Sequence, residues 1–208
     1  MRLLDTVLLI KFIDSIFKVD IMSKKFLLVI CILLPILGGC VAAVIGGGGG
    51  FVMVVEDRRT IGTITEDNVI SHTVSGRIGE TAALNHVNVL TFNRTVLLTG
   101  EAASQSEKDL AERIAKGVQN VVRVYNELQI AMPSSTRSRL NDNVISTTIN
   151  ARFFSEGKFK PVWVKVTTDN GVVYLMGSVK KAEAESATRI AQSTKDVKKV
   201  VRLFEYLD

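Results

Sequence analysis

The feature that most constrains this chain is that it repeats itself. Asp67-Asn68-Val69-Ile70-Ser71 returns as Asp142-Asn143-Val144-Ile145-Ser146. Val96-Leu97-Leu98-Thr99-Gly100 is echoed by Val173-Tyr174-Leu175-Met176-Gly177, and Arg113-Ile114-Ala115 by Arg189-Ile190-Ala191. Val121-Val122-Arg123-Val124-Tyr125 matches Val200-Val201-Arg202-Leu203-Phe204. The four matches keep their order at offsets of 75, 77, 76 and 79 residues, so small insertions separate the elements of two copies of one unit. A unit of roughly 65 residues is only marginally stable alone, which predicts that the two copies pack against each other.

Each copy reads as helix, strand, strand, helix, strand. Ile70, Val74 and Ile78 recur at helical spacing, and Ile145, Ile149 and Phe153 are their twins. Two strands follow, at residues 87–92 and 95–99 in the first copy and 162–167 and 172–176 in the second. Asp169-Asn170-Gly171 predicts a hairpin turn, because Asn and Gly tolerate the positive φ it requires. Gly100 and Gly177 are expected to end the second strand. Ser104-Gln105-Ser106-Glu107 reads as a capping box opening a second helix with Leu110, Ala111 and Ile114 inward. The last strand is expected over residues 121–130, or 200–207. The expected fold class is α+β, with two tandem units, each a three-stranded sheet packed on two helices. The boundaries are 66–131 for the first, 132–140 for a linker with its joint at Pro133-Ser134-Ser135-Thr136, and 141–208 for the second.

The segment ahead of the repeats is an address. Lys24 and Lys25 precede an uncharged apolar run from Phe26 to Leu37, too short to span a membrane as a helix and patterned as a secretory signal. It closes on Leu37-Gly38-Gly39-Cys40, which resembles the lipobox of bacterial lipoproteins. That resemblance implies cleavage before Cys40 and acylation of its thiol; the alternative is an ordinary thiol behind a cleaved signal or short anchor. The chain has two cysteines, so a disulfide scaffold is excluded, and loss of Cys31 with the signal would leave Cys40 alone. Asp5, Asp14 and Asp20 interrupt residues 1–21, so translation is expected to start at Met22 and residues 1–39 to form the signal region. Val41 is not the aspartate that tends to hold lipoproteins at the inner membrane, so the resemblance implies sorting to the outer membrane. Residues 40–65 are expected to be the acylated cysteine and a flexible tether, since Gly46 to Gly50 oppose helix; a second membrane helix is the competing reading. Glu56-Asp57-Arg58-Arg59 is expected to mark the return to water.

The order of elements, their length and the glycine positions resemble the BON domain, a small module of bacterial envelope proteins. The stretches that carry the resemblance are Val164-Lys165-Val166-Thr167-Thr168-Asp169-Asn170-Gly171, Val173-Tyr174-Leu175-Met176-Gly177 and Val124-Tyr125-Asn126-Glu127. Two copies behind a lipobox are similar to the dual-BON outer-membrane lipoproteins of the DolP type, over residues 40–208. The resemblance implies a non-enzymatic, periplasm-facing lipoprotein that binds anionic phospholipid through the first helix of its second domain and supports outer-membrane integrity.

The charge distribution agrees. The net charge of +5 and pI near 9.3 suit an acidic partner, either nucleic acid or an anionic membrane. Residues 66–131 hold six Lys and Arg against eight Asp and Glu; residues 141–208 hold eleven against eight. At 100° per residue Ile145, Ile149 and Phe153 share one helix face, while Val144, Ala151 and Phe154 fall roughly opposite. Val144, Thr148, Ala151 and Phe154 are therefore expected to touch lipid, with Lys158, Phe159 and Lys160 beside them and the lysines meeting phosphates. Trp163 adds to this mixture of aromatic and cationic groups. The alternative is that Phe154 packs on the first copy or the long loop and the lysines are a solvated rim. In an ungapped alignment Val144 stands where the family can carry an exposed tryptophan. The aromatic anchor has then moved to Phe154 or Phe159, or the binding is weaker.

Other classes fit less well. His72 and His86 occur only in the first copy with no acid at motif spacing, and Ser71 and Ser146 lack a nucleophile motif, so neither a catalytic site, a metal nor a cofactor is expected. An export signal removes nucleic acid as a partner, and no small-molecule substrate is implied. The rival reading is an envelope protein-interaction module whose acyl anchor is its only membrane contact. The exposed edge strands of small sheets would recruit its partners.

Overall fold

A helix starts where side chains can satisfy its first amides, and both copies open that way. In this computed structural model, which describes residues 57–81, 84 and 86–208, Thr60 accepts from Thr63 N at 3.1 Å and opens α1 (Ile61–Gly79). Ser135 accepts from Ser138 N at 3.2 Å and opens α3 (Thr136–Glu156). Both helices begin ahead of the repeated motifs, inside segments expected to be tether and linker. Ile70, Val74 and Ile78 are buried on α1, and Ile145, Ile149 and Phe153 on α3, as the spacing predicts. Cys40 and the glycine tether lie outside the described residues.

The repeated aspartate explains why the motif recurs. In the first copy β1 (Val87–Phe92) turns into β2 (Thr95–Ala102) through Asn93 and Arg94, at φ 48° and 60°. In the second, β5 (Val164–Asp169) turns into β6 (Val172–Val179) through Asn170 and Gly171, at φ 47° and 77°. Such a turn leaves its amides pointing out of the ladder. Buried Asp67 accepts from Asn93 N at 2.8 Å and Arg94 N at 2.7 Å; buried Asp142 accepts from Asn170 N at 2.9 Å and Gly171 N at 2.8 Å. One carboxylate per copy thus ties the first helix to the hairpin.

A βαβ step completes each sheet. In the first copy α2 (Gln105–Lys116) leads to β3 (Arg123–Asn126) and β4 (Gln129–Ile130), both parallel to β2. In the second, α4 (Lys181–Gln192) leads to β7 (Lys199–Tyr206), parallel to β6. Strand orders are β1-β2-β3, with β4 also on β2, and β5-β6-β7. The fold is α+β, two tandem units each with two helices on one face of a small sheet. Ser104 accepts from Glu107 N at 3.3 Å at the start of α2, while the Glu107 carboxylate takes Ala103 N at 2.8 Å, one residue earlier than a strict capping box.

Three expectations are corrected. Gly100 and Gly177 lie within β2 and β6 and do not end them; a Cβ at either would collide with the carbonyl of His86 or Trp163 crossing over it. The last strand of the first copy is interrupted, because Leu128 turns into the core at 1% exposure between β3 and β4. The fourth sequence match is out of register. Val96 pairs with Val124 and its counterpart Val173 with Val200, so the last strands correspond at an offset of 76, not 79.

The two sheets pack face to face. Val96 and Leu98 point to the helices of the first copy, while Leu97 points the other way and joins Phe92, Tyr174 and Met176 between the sheets. All eight residues of β2 are buried, as befits a strand covered on both sides. Polar bonds frame this layer: Lys165 Nζ donates to Thr91 O at 2.9 Å, Asn93 Nδ2 to Glu205 Oε2 at 2.8 Å, and Gly100 N to Asp169 Oδ2 at 3.2 Å. Burial pushes the Tyr174 hydroxyl pKa up to about 12. The packing predicted from copy size is therefore sheet on sheet.

Asp142→Ala is expected to cost about 2–4 kcal/mol, since two charge-assisted hydrogen bonds are lost and two amides are left without an acceptor. Chemical denaturation of the variant should show its midpoint falling with an unchanged slope. An unchanged midpoint would mean the carboxylate does not hold the hairpin.

Candidate functional site

The helix α3 offers one face to the core and another to solvent. Asp142, Ile145, Ile149 and Phe153 are its buried residues. On the outward side Val144 is 63% exposed and Phe154 67%, with Thr148 and Ala151 exposed between them. Leu140, 60% exposed, extends this stripe by one turn toward the N-terminus and was missed in the sequence because it falls in the expected linker. Thr148 Oγ1 donates to Val144 O at 2.7 Å, so its hydroxyl is satisfied by the helix itself and its methyl is free to join an apolar surface.

Cations stand at both ends of this helix, though Arg139 reaches toward His86 and away from the outward stripe. Arg137 and Arg139 are exposed on the first turn, and Lys158 and Lys160 are exposed just beyond the last. Of the two acids on α3, Asp142 is buried and Glu156 accepts from Arg152 at 3.0 Å. Gly157, at φ 59°, stops the helix and turns the chain back. That turn overturns one expectation. Phe159 is only 6% exposed, its ring 4.8 Å edge-on from Phe153, so it belongs to the core and not to the outward face.

The first copy is a built-in control. Val69 is 60% exposed at the place of Val144, so an outward valine belongs to the repeat. Gly79 stands where the second copy has Phe154. Between the two matched helices, the exposed aromatic is thus on α3 and not on α1.

Arg58 and Arg59, expected to lie in water, instead clamp the fold. Arg59 donates to Asp67 Oδ2 at 2.9 Å and Asp57 Oδ2 at 2.7 Å and lies over the Phe92 ring at 4.2 Å. Burial would lower the Arg59 pKa, but its hydrogen bonds to Asp57 and Asp67 outweigh that and raise it. Arg58 crosses to the second copy. It grips Glu183 with two bonds of 2.7 and 2.8 Å, donates to Ser178 O at 2.9 Å, and stacks 3.5 Å above the Trp163 ring. Trp163 therefore presents one face to a guanidinium. Nothing local in the sequence marks this clasp, since Glu183 lies 125 positions away.

Lys165 sits under the same cluster. Burial lowers its pKa, the nearby Arg59 lowers it further, and Asp67 and Asp57 oppose both. His86 Nδ1 lies 3.1 Å from Arg139 Nη1, and His72 is exposed. Among the described residues no three His, Cys, Asp or Glu side chains are arranged to hold a metal ion. No helix among them is long and apolar enough to cross a membrane.

Comparison with known proteins gives the family. The BON domain matches twice, at residues 66–132 and 141–208. The chain is 38% identical over 175 residues to the outer membrane lipoprotein DolP of Haemophilus influenzae, covering 83% of this chain and 91% of that protein. It is 30% identical over 154 residues to the 21 kDa hemolysin of Actinobacillus pleuropneumoniae, covering 73% and 79%. Over 145 residues it is 28% identical to the osmotically-inducible protein Y of Escherichia coli, covering 67% and 72%.

The clasp carries a pH signature. The hydrogen bonds from Arg58 hold the Glu183 carboxyl below the usual glutamate range, with burial opposing. Its stabilisation is therefore fully present above the unfolded glutamate value of about 4.3 and is lost as pH falls through the lower folded value. Arg58→Ala is expected to cost about 1 kcal/mol at neutral pH, kept small because the pair borders solvent. Thermal melts across pH should show the gap between variant and parent closing in acid. A gap that persists at the acid end would assign the loss to the Trp163 stacking alone.

Proposed function

The chain belongs to the BON domain family, and on that premise we propose that it is an outer-membrane lipoprotein of the DolP type. In this reading Cys40 carries the acyl anchor, both domains face the periplasm, and the second binds anionic phospholipid. The contact is the outward face of α3: Val144, Thr148, Ala151 and Phe154, extended by Leu140, with Lys158 and Lys160 at the headgroups. The role is structural and non-enzymatic, in support of outer-membrane integrity.

The observation that carries this reading is Phe154. A phenylalanine 67% exposed on the last turn, at the end of a stripe of leucine, valine and alanine, with cations at both helix ends and its one exposed acid engaged by Arg152, suits an anionic interface. Full burial of such a side chain is worth about 1.5–3 kcal/mol, and each lysine or arginine near an anionic surface about 1 kcal/mol. These sums give weak, reversible binding by the domains alone. Acyl chains in the same leaflet would convert that weak contact into an intramolecular one, with an effective concentration set by the tether.

Flotation of residues 54–208 with neutral or anionic vesicles tests this directly. Binding is expected to anionic vesicles only, to fall about tenfold or more in Phe154→Asp, and to weaken with added salt. Lys158→Glu should reduce it as well. Failure to float with either vesicle would leave the acyl anchor as the sole membrane contact and favour the protein-docking role.

A further inference from the structure

One difference between the two copies marks a site of another kind. In the first, the carboxylate that caps the hairpin is completed by a guanidinium from the residue just before the helix N-cap: Arg59 on Asp67, over Phe92. In the second, the residue before the N-cap is Ser134, and the strand-end position of Phe92 is held by Asp169. A serine is too short to fold back in that way. A cleft of about 230 Å³ lies here, lined by Ser134, Ser138, Asp169, Asn170 and, from the first copy, Glu101. It shares Ser138 and Asn170 with a neighbouring cleft of about 510 Å³ that reaches Asp142.

The charges here do not balance. Glu101 and Asp169 are each 8% exposed and Asp142 is 5% exposed. Asp142 is occupied with the hairpin amides, and Asp169 accepts one bond from Gly100 N. The Glu101 carboxylate takes no hydrogen bond or ion pair from the described residues, and its oxygens are not sealed from solvent but border the cleft. Burial, then the charges of Glu101 and Asp142, push the Asp169 carboxyl pKa up. The cation on the rim, Lys198, is turned to Asn170, at 2.9 Å from its carbonyl and 3.1 Å from its side-chain oxygen. In the first copy Asp67, the match of Asp142, and the neighbouring Asp57 have Arg59, with Lys165 nearby. Carboxylates grouped in a half-closed cleft repel one another, and a cation arriving from outside relieves that repulsion.

We propose that this cleft takes the arginine side chain of an extended segment of a partner protein, as the first copy takes Arg59 from its own chain. A guanidinium suits it because its planar fork can address two carboxylates at once. Residues 41–56 of this chain contain no lysine or arginine, so its own tether cannot supply the group. The site shares no residue with the outward face of α3 and stands whether or not that face binds lipid.

The test uses the full-length protein in neutral detergent and a fluorescent peptide copying residues 56–61, the first copy's own occupant, read by anisotropy. Saturable binding is expected to the parent protein. It should fall about tenfold or more in the Glu101→Gln, Asp169→Asn double variant, the worth of a lost charge-assisted bond. Both changes relieve repulsion, so the melting temperature should hold or rise and lost binding is not lost folding. Ser134→Arg installs the first copy's arrangement and should both block the peptide and raise the melting temperature. The proposal fails if the parent does not bind the peptide, or if neither variant changes its affinity. It fails also if a peptide with lysine in place of both arginines binds equally well, since the cleft would then accept any ammonium group.

Discussion

Each copy hangs from one buried carboxylate. Asp67 and Asp142 sit on the first helix of their units and accept two amides each from a hairpin tip that no strand can satisfy. Without that acceptor the turn would expose polar groups at the rim of the core, and the helix would lose its fixed height against the sheet. With it, the stripes Ile70, Val74, Ile78 and Ile145, Ile149, Phe153 are set over Val96 with Leu98 and over Val173 with Leu175. The other side of each sheet is then free to meet its twin through Leu97, Phe92, Tyr174 and Met176. The aspartate is thus the point where helix, hairpin and interface are brought into one geometry.

Much of this was legible in the sequence because it is local. Helical spacing named the core face of both helices, and Asn170-Gly171 named the turn, since each rests on conformational preferences that operate within a few residues. What failed depended on distant partners. The similar pentapeptides at 121 and 200 invited a register of 79, but the parallel ladder sets it by what faces Val96 and Val173. Gly100 and Gly177 looked like strand ends, whereas the carbonyls of His86 and Trp163 require them inside the strand. Phe159 looked like a companion to Phe154 until Gly157 reversed the chain and carried it to Phe153. The outward face itself was readable for Val144, Ala151 and Phe154, because a helix with one core stripe leaves its opposite side determined.

The two copies differ at three matched positions around the first helix and its hairpin. The first copy spends its capping site on Arg59 and carries Gly79 at the end of its helix stripe. The second replaces Arg59 with Ser134, Phe92 with Asp169 and Gly79 with Phe154. The helix stripes and the capping aspartates are kept, while the partner of the aspartate, one position of the layer between the sheets and the outward end of the first helix change. Stability has moved the other way, since the second copy keeps an aromatic in water and carboxylates in a cleft, and neither favours the isolated fold. Features that cost stability without serving the core are those to which function is most reasonably assigned.

The arginine clasp ties the two copies to the segment that enters α1. Arg59 fastens the entering segment to the first copy and Arg58 fastens it to the second, so the polypeptide arriving from the side of Cys40 is held at both units before α1 begins. Its landing point on Trp163 lies three positions after Lys160, in the segment that follows the exposed end of α3. Arg58 thus brings the entering segment to the stretch of the second copy that leads from α3 into β5. A tether joined only to the first copy would leave the distance to α3 dependent on the sheet-on-sheet contact alone. By gripping Glu183 as well, Arg58 joins the segment that enters α1 to the second copy by a contact independent of the sheet-on-sheet layer.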